Sequence, residues 1–390
     1  MQTGLYASRT GCFRNGIPLP AQTRSLADAF REAGYQTGYI GKWHLAGSDP
    51  VPSEEMGGYE SWLGANKLEF TSDAYHTVVF DEEQRPVRLP GYRVDALTDA
   101  AIRFVDGHQE QPFFLFLSHL EPHHQNHTDD YPPPIGYRER YTGKWIPPDL
   151  AALGGSTQQH IAGYYGMVKR LDEAYGRLLD ALESLGLAEN SIVLFTSDHG
   201  NHFKTRNDEY KRSGHDASLR VPTVFTGPGF TGGRQVRELV SILDLHATLL
   251  DAAGLPMPDG VQGRSILPLL RGRGETWQNE LFFQISESGV GRGLRTPRWK
   301  YGVSAPHADA WEDATSGHYV ESYLYDLQHD PYELFNLIGQ ESHLEIATRL
   351  RERLQVRMQE AGEPAAAIES APRQPRYGQR EVLADELEGL

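Results

Sequence analysis

The sequence predicts an α/β protein: a mixed, mostly parallel central sheet flanked by helices, with a smaller α+β subdomain at its carboxyl end. Three observations carry that expectation. Short apolar runs rich in β-branched and aromatic residues recur at 35–40, 113–117, 192–195 and 221–225, and a continuous run marks a strand buried on both faces of a parallel sheet. Stretches with helical spacing of apolar residues lie between them. Polar, chemically capable residues follow the runs directly, and ligands of open α/β sheets bind just beyond the carboxyl ends of strands.

Taken in order, residues 23–33 read as a short amphipathic helix. Thr23 is the expected N-cap, Leu26, Phe30 and Ala33 share a face, and Gly34 ends the helix. A strand through Tyr39 and Ile40 leads to Gly41, Lys42, Trp43 and His44. Lys42 and His44 are then a candidate anion-binding cation beside a proton-transfer group, or else a solvated charge and a stray imidazole. Residues 46–92, rich in Gly, Pro and charge, are expected to be irregular, with a hairpin around Val78 to Val87. A helix through Val94, Leu97, Ala101, Phe104 and Val105 delivers the chain to the strand at 113–117. Beyond it stand His119, His123, His124 and His127; the cluster is a surface loop, or at least one of its imidazoles enters a site.

Residues 131–149, rich in Pro and Tyr, suggest a substrate rim. The longest helix is expected over 157–185, its stripe of Ile161, Tyr165, Val168, Leu171, Tyr175, Leu178, Leu182 and Leu185 closed by Gly186. The strand at 192–195 ends in Asp198, His199 and Gly200, an acid and an imidazole placed to hold a metal, with Gly200 expected to let the chain turn sharply. The locally basic segment 204–220, which includes Arg206 and Lys211, suggests recognition of an anion. A helix over 239–253 closes the main unit, and the looser stretch 259–273 sets the expected division into residues 1–272 and 273–390. In the second unit, strands are expected at 281–285 and 299–303. Ser342 and Glu345 form a capping-box pattern ahead of a helix, and the tail after Pro364 is expected to be poorly ordered at its end.

The net charge of −16 over 390 residues argues against a nucleic-acid binder, which needs a basic face. An anionic substrate must therefore be drawn in by a local group of cations or a metal. Cys12 is the single cysteine, so no internal disulfide forms, and a buried packing role suits it better than a reactive thiol. No apolar run approaches the ~20 residues of a membrane span. Residues 1–6 lack the basic and apolar regions of a signal peptide.

Several segments together resemble one family, the formylglycine-dependent sulfatases of the alkaline-phosphatase-like superfamily. Residues 34–44 look like its second signature, and 195–200 like its metal-binding strand end. Leu324-Tyr325-Asp326-Leu327 with Asp330-Pro331, Glu333 and Asn336-Leu337 resembles its C-terminal motif, and Lys211 stands before Asp216, Arg220 and Pro222 in the manner of its late lysine. The resemblance implies an alkaline-phosphatase-like fold and hydrolysis of sulfate monoesters, a sulfated carbohydrate before a small aryl sulfate. It implies Asp198 and His199 as ligands of a divalent cation, usually calcium, with magnesium the alternative; His199, a softer ligand, stands where the family often has Asn. Lys42 would hold a sulfate oxygen or the nucleophile, and His44 would handle the proton of the covalent intermediate. His123 and Lys211 would protonate the leaving group, with His124 and Arg206 as substrate contacts. A periplasmic or secreted location is implied as well.

The family's nucleophile, a Cys or Ser before Pro-Ser-Arg that is oxidised to formylglycine, precedes a segment like Thr3-Gly4-Leu5-Tyr6. It is therefore expected upstream of Met1, as is the strand carrying two further metal-ligand aspartates. On that expectation the chain begins in mid-domain, binds metal poorly and turns over nothing by itself. Two other readings stay open: a phosphonate or phosphate monoester hydrolase of the same superfamily, and a non-catalytic binder of sulfated glycans.

Overall fold

Twelve strands form three sheets in the computed structural model, which describes residues 1–374 and 382–387. The first sheet contains β1 (Gln36–Lys42), β2 (Ser61–Ala65), β3 (Thr77–Asp81), β4 (Pro86–Leu89) and β5 (Phe113–Ser118), in the order β4-β3-β2-β1-β5. Strands β2, β1 and β5 run parallel, and the expected hairpin β3–β4 adds antiparallel on the β2 edge. β6 (Val193–Thr196) and β7 (Thr223–Thr226) form a two-stranded sheet. The C-terminal sheet orders β12 (Ala367–Glu369), β11 (His318–Asp326), β10 (Trp299–Ser304), β9 (Gly291–Arg295) and β8 (Leu281–Ile285), against which the helix Leu344–Glu360 packs.

Several expectations change. The strand at 192–195 pairs antiparallel with β7, and its residues are half-buried. One face is covered by the long helix, where Tyr175 meets Phe195 with ring centroids 5.3 Å apart, while its partner β7 lines a large cavity. A continuous apolar run reads the same in either setting. β5 likewise lies at the edge of its sheet and is half-buried throughout. β2 was hidden in the stretch read as irregular, because five residues containing a glycine give no usable period.

The caps differ too. Ser25, not Thr23, caps the helix Leu26–Glu32, in a box with Asp28. Ser241 and Asp244 form a second box ahead of Ile242–Ala252. The Ser342–Glu345 pattern makes no such box: the helix begins at Leu344, and the Ser342 hydroxyl lies 2.9 Å from the His343 ring. The long helix Thr157–Ser184 forms as expected, though Val168 faces solvent. The end of the tail lies outside the described residues; before it, β12 joins the C-terminal sheet.

Packing explains why the chain carries glycine and tryptophan around Lys42. Trp43 is buried in an aromatic cluster with Tyr39, Tyr59 and Trp62. At Gly41, φ is 108° and a Cβ would fall 1.9 Å from the Ser118 carbonyl oxygen, so no other residue lets β1 and β5 approach. Gly41→Ala should cost at least ~1–3 kcal/mol in denaturant unfolding; an unchanged midpoint would refute the close approach. Gly200 plays a different part from the one expected. Its φ is not positive, but the Ala217 carbonyl lies where a Cβ would be, at 2.1 Å.

Candidate active site

The residues singled out in the sequence leave the carboxyl ends of three strands. Lys42 closes β1 and His44 follows it, His123 follows β5, and Asp198 and His199 follow β6. Lys211 comes from the loop between β6 and β7, and the segment 202–220 around it is docked on the C-terminal sheet. Arg206 donates to the carbonyls of Glu333 (2.8 Å) and Tyr332 (2.9 Å). The Asp216 amide donates to Glu333 Oε2 at 2.7 Å, and the His215 ring lies 3.2 Å from the Tyr325 hydroxyl. Arg212 pairs with Glu209 and Glu287. The basic side chains at 206 and 212 are thus engaged in holding the segment down.

His123 and Lys211 meet. Nδ1 of His123 lies 2.6 Å from the His124 carbonyl oxygen, which can only accept, so Nδ1 carries the proton. Burial, with Lys42 and Lys211 nearby, holds the ring well below its usual range, so it is neutral. The lone pair of Nε2 then accepts from the Tyr210 hydroxyl at 2.9 Å and from the Lys211 ammonium at 3.4 Å. Lys211 itself is lowered to about 8 by burial and by Lys42, against the pull of Asp198. At neutral pH Lys211 thus still holds a proton, beside the Nε2 of a neutral His123.

Lys42 is bound by a residue the sequence reading missed. Its ammonium lies 3.1 Å from Glu69 Oε1, both side chains nearly buried. His44, with a strained φ of 60°, is lowered to about 4 by burial and Lys42 and is a neutral proton acceptor. Neither Glu69 nor Tyr210 carried a motif; only adjacency to Lys211 in the chain pointed to Tyr210.

The other histidines spread out. His119 is half-buried and lowered to about 4 by desolvation, while His127 pairs with Asp73 at 2.7 Å on the surface. His124 binds Asp129 at 2.9 Å and packs on Tyr131, Tyr210 and His160. Burial pushes the Cys12 thiol up, away from nucleophilic use.

Asp198 is 81% exposed, yet it lies deep among protein atoms on the wall of a cavity of about 2300 Å³ that His44, His199 and Lys211 also line. Depth alone would raise its carboxyl; the positive charges around it, Lys211 and Lys42 among them, and the His199 amide that donates to it at 2.9 Å outweigh this and hold it low. Water reaches this carboxylate, so its charge is partly screened. His199 gives its Nδ1 proton to the Gly200 carbonyl at 2.8 Å and is held low by burial despite Asp198. Its Nε2 lone pair therefore faces Asp198 Oδ2 at 3.3 Å. Two electron-pair donors at that distance call for a cation between them, and the pair fits a metal as two donors of a larger set. Calcium takes six to eight oxygen ligands, and among the described residues no group of three or more His, Cys, Asp or Glu converges on such a point.

Cations, neutral imidazoles and a metal-donor pair gathered at strand ends define a class, the alkaline-phosphatase-like hydrolases of anionic esters. The sulfatase family model matches residues 1–255, and the model of the N-sulphoglucosamine sulphohydrolase C-terminal region matches 208–360. The chain belongs to the sulfatase family. It is 27% identical over 381 residues to an ulvan-active sulfatase of Formosa agariphila, covering 93% of this chain and 71% of that protein. It is 28% identical over 386 residues to arylsulfatase K of Rattus norvegicus, covering 86% and 65%. The chain thus spans about two thirds of the length of such relatives.

Among solved structures, a Bacteroides fragilis protein assigned to the sulfatases superposes with TM-score 0.79 at 23% identity, over 93% of this chain and 84% of that one. A phosphonate monoester hydrolase from Silicibacter pomeroyi superposes with TM-score 0.65 at 21%, over 92% and 84%. At these identities the likeness concerns the fold. Membership in the family implies, in general, a metal and a formylglycine.

Proposed function

We propose that this chain is the larger part of a sulfatase that hydrolyses sulfate monoesters of a carbohydrate. The observation that carries the reading is the meeting of Lys211 and His123 beside the Lys42–Glu69 pair, close to Asp198 and His199. Lys42 holds an ester oxygen. Lys211, aimed by His123, gives its proton to the departing alkoxide, which otherwise carries the full charge of bond cleavage. Neutral His44 would accept a proton at the site. Asp198 and His199 would hold a divalent cation, calcium on the family pattern, and a bound metal with formylglycine would supply the charge neutralisation and the nucleophile. His124 and Arg206, engaged as described, serve the substrate indirectly by shaping the loops around it.

The carbohydrate substrate is supported by the relatives: besides the ulvan-active sulfatase, an N-acetylglucosamine-6-O-sulfatase of Bacteroides thetaiotaomicron is 23% identical over 440 residues. The same fold also carries the phosphonate monoester hydrolase, the reading an assay must separate. The test is to extend the chain upstream through a Cys- or Ser-x-Pro-Ser-Arg segment and compare release of sulfate and phosphate. Calcium-dependent sulfate release by the extended chain, with none from residues 1–390 alone, is expected. Phosphate release in its place, or no turnover by either form, would sink the proposal.

A further inference from the structure

We propose that Glu69 is a specificity-determining residue: its carboxylate, fixed against Lys42, makes the site select singly charged esters over doubly charged ones. The inference rests on the reading of Lys42 as the cation that holds the ester. It begins from an oddity, that a lysine placed to bind an anion is already paired with one.

Glu69 is 4% exposed and lies 3.1 Å from Lys42. Its second oxygen, Oε2, is sealed from solvent and has no hydrogen-bond partner, so the side chain makes no other polar contact that would explain its burial. The backbone around it is fixed, since Gln125 donates to the Glu69 carbonyl at 2.8 Å and Gln125 is itself held by fully buried Arg93. Glu69 cannot easily swing away when an ester arrives. Burial opposes its charge, yet Lys42, by its charge and its hydrogen bond, outweighs burial and keeps it ionised.

The two lysines are therefore unlike. Lys42 is neutralised in place, whereas among the described residues no carboxylate pairs with Lys211. The groups facing them are Glu69, Asp198, Arg212, His44, His123 and Tyr210. Of these, Glu69 and Asp198 are the carboxylates, and Asp198 would be occupied by the cation. A sulfate monoester carries one negative charge, while a phosphate monoester above its second pKa of about 6 carries two. The extra charge gains from the lysines but must face the immovable Glu69 carboxylate, which is itself shielded from water. One unit charge at a separation of several ångströms changes relative affinity by about ten- to a hundred-fold there. Phosphonate monoesters carry a single charge and are not excluded by this device.

The test measures binding of phenyl sulfate and phenyl phosphate to the full chain at pH 7.5 by titration calorimetry, for wild type, Glu69→Gln and Glu69→Asp. Any loosening of Lys42 affects both probes and cancels in the ratio of dissociation constants. The expected result is that Glu69→Gln shifts that ratio about ten-fold or more toward phosphate, while Glu69→Asp, which keeps the charge, leaves it near wild type. Equal changes for both probes in Glu69→Gln, or a shift of the same size in Glu69→Asp, would show a merely structural role. Failure of both probes to bind wild type would also overturn the inference. Turnover does not enter this measurement. A chain that shows the ratio shift but releases no sulfate when extended upstream would sink the enzymatic reading and leave the selectivity standing.

Discussion

Replacing Lys211 with alanine is expected to lower sulfate release by the extended chain about 10²–10⁴-fold, the range of a lost general acid, with little change in folding. The reason is its position relative to His123. A neutral imidazole whose Nδ1 proton is committed to the His124 carbonyl has no proton to give from Nε2, so the leaving group depends on the ammonium at 3.4 Å. Because burial and Lys42 bring Lys211 down to about 8 from its usual 10.5, the acid is present at neutral pH and near its most effective range. Activity should therefore fall as pH rises through about 8. Lys211→Arg, which keeps a charge but cannot release a proton in that range, should lose the activity along with the alkaline limb.

Stability follows a related rule. The folded protein releases this proton at lower pH than the unfolded chain does, so the lysine destabilises the fold below about pH 8. That penalty is relieved as pH rises toward 10.5. Undiminished turnover in Lys211→Ala would remove Lys211 from the mechanism.

Much of this site was legible in the sequence, because catalytic groups at strand ends announce themselves by following apolar runs. Lys42, His44, Asp198 and His199 were found in that way, and the motifs around them placed the family. The partners that tune those groups were not legible. Glu69 lies in a four-residue helix after a strand the reading missed, 27 residues from Lys42 in the chain, and nothing local marks a buried carboxylate as an ion-pair partner. The basic segment at 204–212 was read as an anion-recognition surface, since a sequence shows charge but not what the charge meets. In the fold, Arg206 meets backbone carbonyls and Arg212 meets Glu209 and Glu287. Strand pairing is not legible for a similar reason: a strand packed under a long helix beside a cavity-lining partner carries the same apolar run as a central strand, so β6 reads as one.

Lys300→Met should destabilise the chain by about 3–5 kcal/mol, the cost of breaking a buried ion pair from one side. Lys300, on β10, is wholly buried and bonds both Asp216 and Glu333, the latter at 2.5 Å. Methionine fills much the same volume, so the loss is electrostatic: the two carboxylates lose the cation they share, and Arg295, 3.7 Å from Asp216, remains beside them. The present arrangement already shows the tension. Burial tends to raise both acids; Lys300 outweighs it at Asp216, which is held low, while burial and Asp216 together keep Glu333 raised. The opposite directions belong to one coupled group, in which the lysine can fully satisfy only one acid at a time.

In Lys300→Met both carboxyls would be pushed up, and a proton shared between them would restore some of the lost stability. An acid raised in the folded state stabilises it at low pH and loses that contribution as pH rises. The deficit against wild type should accordingly be larger at pH 8 than at pH 5. Since Asp216 and the Arg206 contacts are what dock the Lys211 segment onto the C-terminal sheet, the same variant should also weaken catalysis in the extended chain under conditions where it remains folded. Denaturant unfolding at the two pH values decides the matter. A deficit under about 1 kcal/mol, or one that does not grow with pH, would mean that the buried triad does not hold the Lys211 segment on the C-terminal sheet.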